Sequence, residues 1–139
     1  MRRFGEGTTD GTDDTDMGDL IHEALSADII GAAMAVLNEL KPGLDEKLYE
    51  RALVLELLER GHIVNQQKAF GVTYKGHAIG TLIPDLIVDE LVIVDPKVVS
   101  AFNDSHLAQM TGYLALSDLR LAILLNFKYA TLQWKRVVR

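Results

Sequence analysis

The stretch Thr81-Leu82-Ile83-Pro84-Asp85-Leu86-Ile87-Val88, followed by Asp89-Glu90 and then Leu91-Val92-Ile93-Val94-Asp95-Pro96-Lys97, carries the main architectural signal. Both halves are aliphatic and β-branched, and two acids separate them, which predicts buried strands joined by a tight return. Each half also holds an acid that an apolar interior does not tolerate, Asp85 in the first and Asp95 in the second. Desolvating a carboxylate costs several kcal/mol unless it is paired or bound to a metal. With a side-chain period of two, Asp95 and Lys97 share one face of their strand, and the return at Asp89-Glu90 brings Asp85 alongside. The spacing therefore predicts a cluster of two acids and a lysine. Two converging carboxylates suit a hard divalent cation such as Mg2+ or Mn2+, which completes its shell with water and phosphate oxygens. Such an ion polarises a phosphodiester, and a neighbouring lysine orients water or stabilises developing charge. The same residues also fit a purely structural ion-pair network at strand ends.

Around this centre, β-rich segments are predicted at residues 62–70, 72–74, 77–88 and 91–94, with Lys75-Gly76 as a turn. Upstream, apolar residues recur at helical spacing over residues 19–40 (Ile30, Ala33, Met34, Leu37, Leu40) until Pro42-Gly43. Ser26 is placed to cap that helix or to break it. A second helix is predicted at about 45–60, with Gly61 to end it. Downstream, residues 103–116 return to helical spacing, and 119–127 and 131–138 read as two further strands. The predicted order is α-α-β-β-β-β-α-β-β, an α/β fold.

At 139 residues, 48% hydrophobic and 24% charged, the chain fits one globular domain of ordinary composition. No apolar run approaches the roughly 20 residues that cross a bilayer, and Met1-Arg2-Arg3 leads into Gly, Thr and Asp rather than an apolar signal core. A cytoplasmic location without membrane association is the expectation. The absence of cysteine excludes disulfides, thiolate metal sites and cysteine nucleophiles. The net charge is -6, of which residues 1–19 carry -4. Residues 1–17 are too polar to offset the entropy of ordering and are expected to form a disordered acidic tail, leaving 18–139 as the single domain. Residues 120–139 contain Arg120, Lys128, Lys135, Arg136 and Arg139 and no acid, a cationic patch suited to a phosphate backbone or to a solvated strand edge. No serine lies in a nucleophile elbow, and no histidine pair has zinc spacing.

Pro84-Asp85, with Asp95-Pro96-Lys97 beginning ten residues after Asp85, resembles the PD-(D/E)XK motif of the restriction-endonuclease-like nuclease superfamily. Gly43-Leu44-Asp45-Glu46-Lys47-Leu48-Tyr49 is similar to the G-x-x-E-x-x-Y pattern of the bacterial GxxExxY family, a compact branch of that superfamily. The resemblance runs from about Leu25 to the C-terminus and includes Ile29-Ile30-Gly31-Ala32-Ala33, residues 109–114 and Leu124-Leu125-Asn126-Phe127.

The resemblance implies a restriction-endonuclease-like core, a mixed central sheet flanked by helices, with the motif acids on adjacent strands. It also implies a Mg2+- or Mn2+-dependent nuclease that hydrolyses DNA or RNA without strong sequence preference. Asp85 and Asp95 would bind the metal, Glu46 would be a direct or water-mediated ligand, Lys97 would position the attacking water, and Gln109 would support it. Tyr49, which shares a helical face with Glu46, would contact substrate together with Lys128, Lys135 and Arg136. Taken without the resemblance, Glu46 reads as an exposed first-turn acid, Tyr49 as a half-buried packing residue and Gln109 as a surface glutamine. Pro96 predicts that its strand ends or bends there. The alternative function is a catalytically inactive nuclease-like interaction module, dimerising through a helical face, with its Asp-Lys network structural.

Overall fold

The computed structural model describes residues 20–139. The expected acidic tail at residues 1–17, and Asp19 at the start of the expected first helix, lie outside the described residues. Helix α1 (Glu23–Leu40) buries Ile29, Ala32, Ala33, Val36 and Leu37, a stripe at helical spacing that commits one face to the core. Ser26 neither caps nor breaks it; the hydroxyl donates to the Glu23 carbonyl at 3.0 Å within the helix. Helix α2 (Glu46–Glu59) buries Tyr49, Leu53, Val54 and Leu57. Gly61, at φ 89°, turns the chain so that its own amide reaches the Leu58 carbonyl and the His62 amide reaches that of Leu57. This paired closure satisfies helix-end carbonyls, and the glycine is what permits it.

Seven strands follow: β1 (Val64–Gln66), β2 (Phe70–Tyr74), β3 (His77–Leu82), β4 (Leu86–Val88), β5 (Val92–Lys97) and, beyond helix α3 (Asp104–Ser117), β6 (Leu121–Asn126) and β7 (Gln133–Val138). Five of them form the central sheet in the order β1-β4-β5-β6-β7; β2 and β3 form a separate two-stranded ribbon. The β5–β6 pair is parallel and the other central pairs antiparallel, so the sheet is mixed. Side-chain alternation assigns the layers. Val92, Val94, Leu121, Ile123, Leu125, Leu86 and Val88 pack with α1 and α2, while Ile87, Ile93, Ala122 and Leu124 pack with α3. This is the expected restriction-endonuclease-like arrangement.

Two details depart from the expected strands. The run expected at 77–88 breaks in two, because Pro84 has no N–H to give to a ladder. Five strands rather than four therefore lie between α2 and α3. The segment at 62–70 breaks opposite it at Gln67, which takes φ 59° and donates its amide to the Asp85 carbonyl at 3.2 Å. The β1/β4 and β2/β3 pairs are thus two halves of one ribbon with an elbow at Gln67 and Pro84-Asp85. Pro96, by contrast, does not stop its strand: β5 stays in register with β6 to Lys97, opposite Asn126. Pairing with β4 ends at Val94, so the missing proline amide falls beyond the last β4 rung.

Candidate active site

Strand alternation from Ile93 sets Asp95 and Lys97 on the α3 side of β5, at its C-terminal end. Asp85 stands at the ribbon elbow, immediately before β4. The expected convergence is present. Lys97 Nζ lies 3.6 Å from Asp95 Oδ1, and the Asp85 carboxyl lies close enough to Asp95 to act on its charge. Asp95 is 4% exposed, and burial pushes its carboxyl up to about 7; the Lys97 ammonium opposes the rise and the Asp85 charge adds to it. At 3.6 Å the lysine is an ion-pair partner rather than a close hydrogen-bond donor, which leaves its ammonium protons available to another oxygen.

Glu46 reaches this end of the sheet from the opposite layer. Partial burial holds its carboxyl above the ordinary carboxylate range; Lys97 counters that rise, Asp85 reinforces it, and the nearby Val98 amide also favours the charged form. Among the described residues no three of His, Cys, Asp and Glu are grouped closely enough to hold an ion together. Glu46 stands at the same end of the sheet as the two aspartates, where its carboxyl feels the charges of Lys97 and Asp85. The Asp85/Asp95 donor set still fits a hard divalent cation, because both donors are oxygen, they lie close together, and such an ion needs only one or two protein carboxylates. A cation there would offset the cost of holding two carboxyls together.

Tyr49 corrects an expectation. It is fully buried, its ring stacked on Phe127 with centroids 4.8 Å apart and planes 10° from parallel. The hydroxyl donates to the Lys41 carbonyl at 2.6 Å and accepts from the Leu44 amide at 3.1 Å. It cannot meet substrate; it ties down the loop that presents Glu46. Gln109 lies on the exposed side of α3 and donates to the Tyr113 hydroxyl at 3.0 Å. The Tyr113 hydroxyl, 3.5 Å from the Ile83 carbonyl, is raised first by burial and then by the Asp95 and Asp85 charges, which puts this pair within electrostatic reach of the site.

The structure sorts the C-terminal bases. Lys135 stands opposite Leu124 in the ladder, on the same face as Asp95, and exposed Lys128 follows the end of β6 near Lys97. Arg136 points to the other face, where its guanidinium donates to the Ile21 carbonyl. That engagement takes it away from the site.

Three participants escaped the sequence reading. Asn126, fully buried, accepts from the amides of Val99 and Lys128 and donates to the Val99 carbonyl and Gln133, fixing the backbone just beyond Lys97. Its signal was visible, a lone amide ending the apolar run 121–125. His106 forms a capping box with Asn103 at the start of α3. Burial lowers its pKa, the Lys97 charge lowers it further and Glu46 opposes, and its Nδ1 accepts from the Asn103 amide at 3.2 Å. Glu50, buried one turn after Glu46, pairs with Lys47 at 3.3 Å.

A family model for the PD-(D/E)XK nuclease superfamily matches residues 23–137, and the chain belongs to that superfamily. No curated protein and no solved structure matches it. No helix among the described residues is long and apolar enough to cross a membrane.

Proposed function

From membership of the PD-(D/E)XK nuclease superfamily, we propose that this chain is a Mg2+- or Mn2+-dependent nuclease of the GxxExxY branch, acting in the cytoplasm on DNA or RNA. One observation carries the reading: Asp85, Asp95 and Lys97 meet at a single end of the sheet. Asp85 and Asp95 would hold the cation, with Glu46 as a direct or water-mediated ligand. The bound ion supplies Lewis acidity at the scissile phosphate. Lys97, paired with Asp95 but not in close hydrogen-bond contact with it, orients the attacking water and offsets charge on the phosphate. Gln109 fixes the Tyr113 hydroxyl on the same side. Lys128 and Lys135 hold the phosphate backbone electrostatically, so affinity falls with salt and depends little on sequence.

The test is incubation of the pure chain with single- and double-stranded DNA and RNA in Mg2+, Mn2+ or chelator, beside Asp85→Ala and Lys97→Ala. Metal-dependent cleavage that falls at least about 100-fold in both variants is expected. Cleavage that persists equally in both marks a contaminant and removes the reading. The competing reading, an inactive interaction module, draws on the Asp95–Lys97 ion pair, which needs no metal; cleavage absent in every condition would favour it.

A further inference from the structure

The β2–β3 ribbon is not required to complete the central sheet. Only its base is anchored, through Phe70 and Leu82 packed on the α3-side core. Beyond that base it is exposed, with Tyr74 61% and Ile79 64% accessible, and Ile79 is left without a partner by the register shift. The tip is a two-residue turn, Lys75 at φ 50° and Gly76 at φ 82°, a backbone shape that presses Tyr74 and His77 together across the hairpin.

Charge separates this ribbon from the rest of the chain. No Asp or Glu occurs from Arg60 to Pro84, although the whole molecule carries -6. Lys68 and Lys75 stand at base and tip, each ammonium over a ring, 5.6 Å from the centre of Phe70 and 5.4 Å from that of Tyr74. The ribbon also leads directly into Pro84-Asp85, so its elbow carries one of the site acids.

We propose that the β2–β3 ribbon is a grip for duplex DNA that delivers a strand to the Asp85/Asp95 site, an assignment that rests on the nuclease reading above. The shape selects the ligand. A two-stranded ribbon fits the major groove of B-form DNA, about 12 Å wide, whereas the A-form RNA major groove is too narrow to admit it. Single strands are gripped by aromatic faces in series, and this ribbon exposes only one pair of rings, Tyr74 and His77 opposite each other at its tip, since Phe70 is committed to the core. Lys68 and Lys75 meet phosphates, and Ile79 offers an apolar contact to base edges.

The experiment measures fluorescence anisotropy of a short labelled DNA duplex, its single strand and the matching RNA duplex, using the full chain carrying Asp95→Asn. Duplex DNA binds tightest. Adding Lys68→Ala/Lys75→Ala weakens it about tenfold and lowers the slope of log affinity against log salt by about 1.8, roughly 0.9 for each phosphate no longer neutralised. Both lysines are exposed, so the melting curve stays unchanged. The inference is overturned if the lysine variant keeps affinity and slope, if single strands or duplex RNA bind as tightly, or if nothing binds. Cleavage by the otherwise native chain tells the two readings apart. If the native chain cleaves and the lysine variant cleaves and binds equally well, the grip falls and the nuclease stands. If the native chain never cleaves but loses duplex binding with the lysines, the grip stands and the nuclease falls.

Discussion

An ionised carboxyl at 4% exposure, close to a second carboxyl, opposes folding. The folded value of Asp95, about 7, lies above its ordinary 3.8. Between those values the folded chain keeps a proton that the unfolded chain has released, so stability falls as pH rises through that window. Asp95→Asn has no such titration. It is expected to be more stable than the native chain by about 1–2 kcal/mol at pH 8, the advantage shrinking at pH 5, while cleavage is lost. Urea denaturation at the two pH values, beside a cleavage assay, checks this. Tyr49 gives the opposite pattern. Tyr49→Phe keeps the stack on Phe127 but removes the hydroxyl bonds to Lys41 and Leu44, costing about 1–2 kcal/mol and leaving nucleic-acid affinity unchanged. Weaker binding without loss of stability in this variant would return Tyr49 to the substrate surface.

Among the elements, a histidine clamp fastens the end of the sheet remote from the site. His62, just past α2, holds Asp28 of α1 through Nε2 at 2.6 Å and Asp89 of the β4–β5 turn through Nδ1 at 2.7 Å. Arg60 adds a 2.7 Å pair to Asp28, and the Ile63 amide donates to Asp89 at 2.8 Å. The Asp28 hydrogen bond leads in raising His62 against the pull of burial, and Asp89 assists. The His62 hydrogen bond lowers Asp28; in Asp89 burial pushes upward, but the bonds from His62 and Ile63 outweigh it. The sign follows for each. The histidine contribution is full below its ordinary value of 6.5 and is lost as pH rises through its elevated folded value. The aspartate contributions are full above their ordinary 3.8 and are lost as pH falls through their depressed values. His62→Ala should therefore lower the melting temperature most between about pH 4.5 and 6 and progressively less on either side, as a melting series from acid to alkaline pH would record. A deficit that does not vary with pH would contradict the clamp.

The elements also show how far the sequence could be read. Helices α1 and α3 were legible from their apolar spacing, α2 from its composition and Gly61, and strands β5 and β6 as short apolar runs buried on both faces. The break between β3 and β4 was not, since β-propensity is continuous on both sides of Pro84 and only a change of partner strand separates them. Pro96 misled in the other direction, because its cost depends on whether a neighbour needs that amide. The Asp85, Asp95 and Lys97 cluster was legible from the two-residue period and the short return. Tyr49 was not, because the hydroxyl partners at Lys41 and Leu44 exist only once the loop between α1 and α2 has closed.

Across the described residues, the C-terminal bases are distributed by face. The acid-free C-terminal run looked like one patch, yet strand alternation sends Lys135 to the Asp95 face and Arg136 toward Ile21. Lys128→Ala/Lys135→Ala is accordingly expected to reduce the salt dependence of nucleic-acid binding, by about 0.9 in log–log slope for each phosphate that the removed ammonium had neutralised, without changing specificity. Binding titrations across a salt series check it, and an unchanged slope would leave those lysines as a solvated edge. Whether the Asp85/Asp95 pair seats a divalent ion is answered by the anomalous scattering of a crystal soaked in Mn2+. A peak is expected between the carboxylates of Asp85 and Asp95, absent from Asp95→Asn crystals soaked in the same way. A well-diffracting soak with no peak there, or with manganese only at other acids, would contradict the metal site and the hydrolysis built on it.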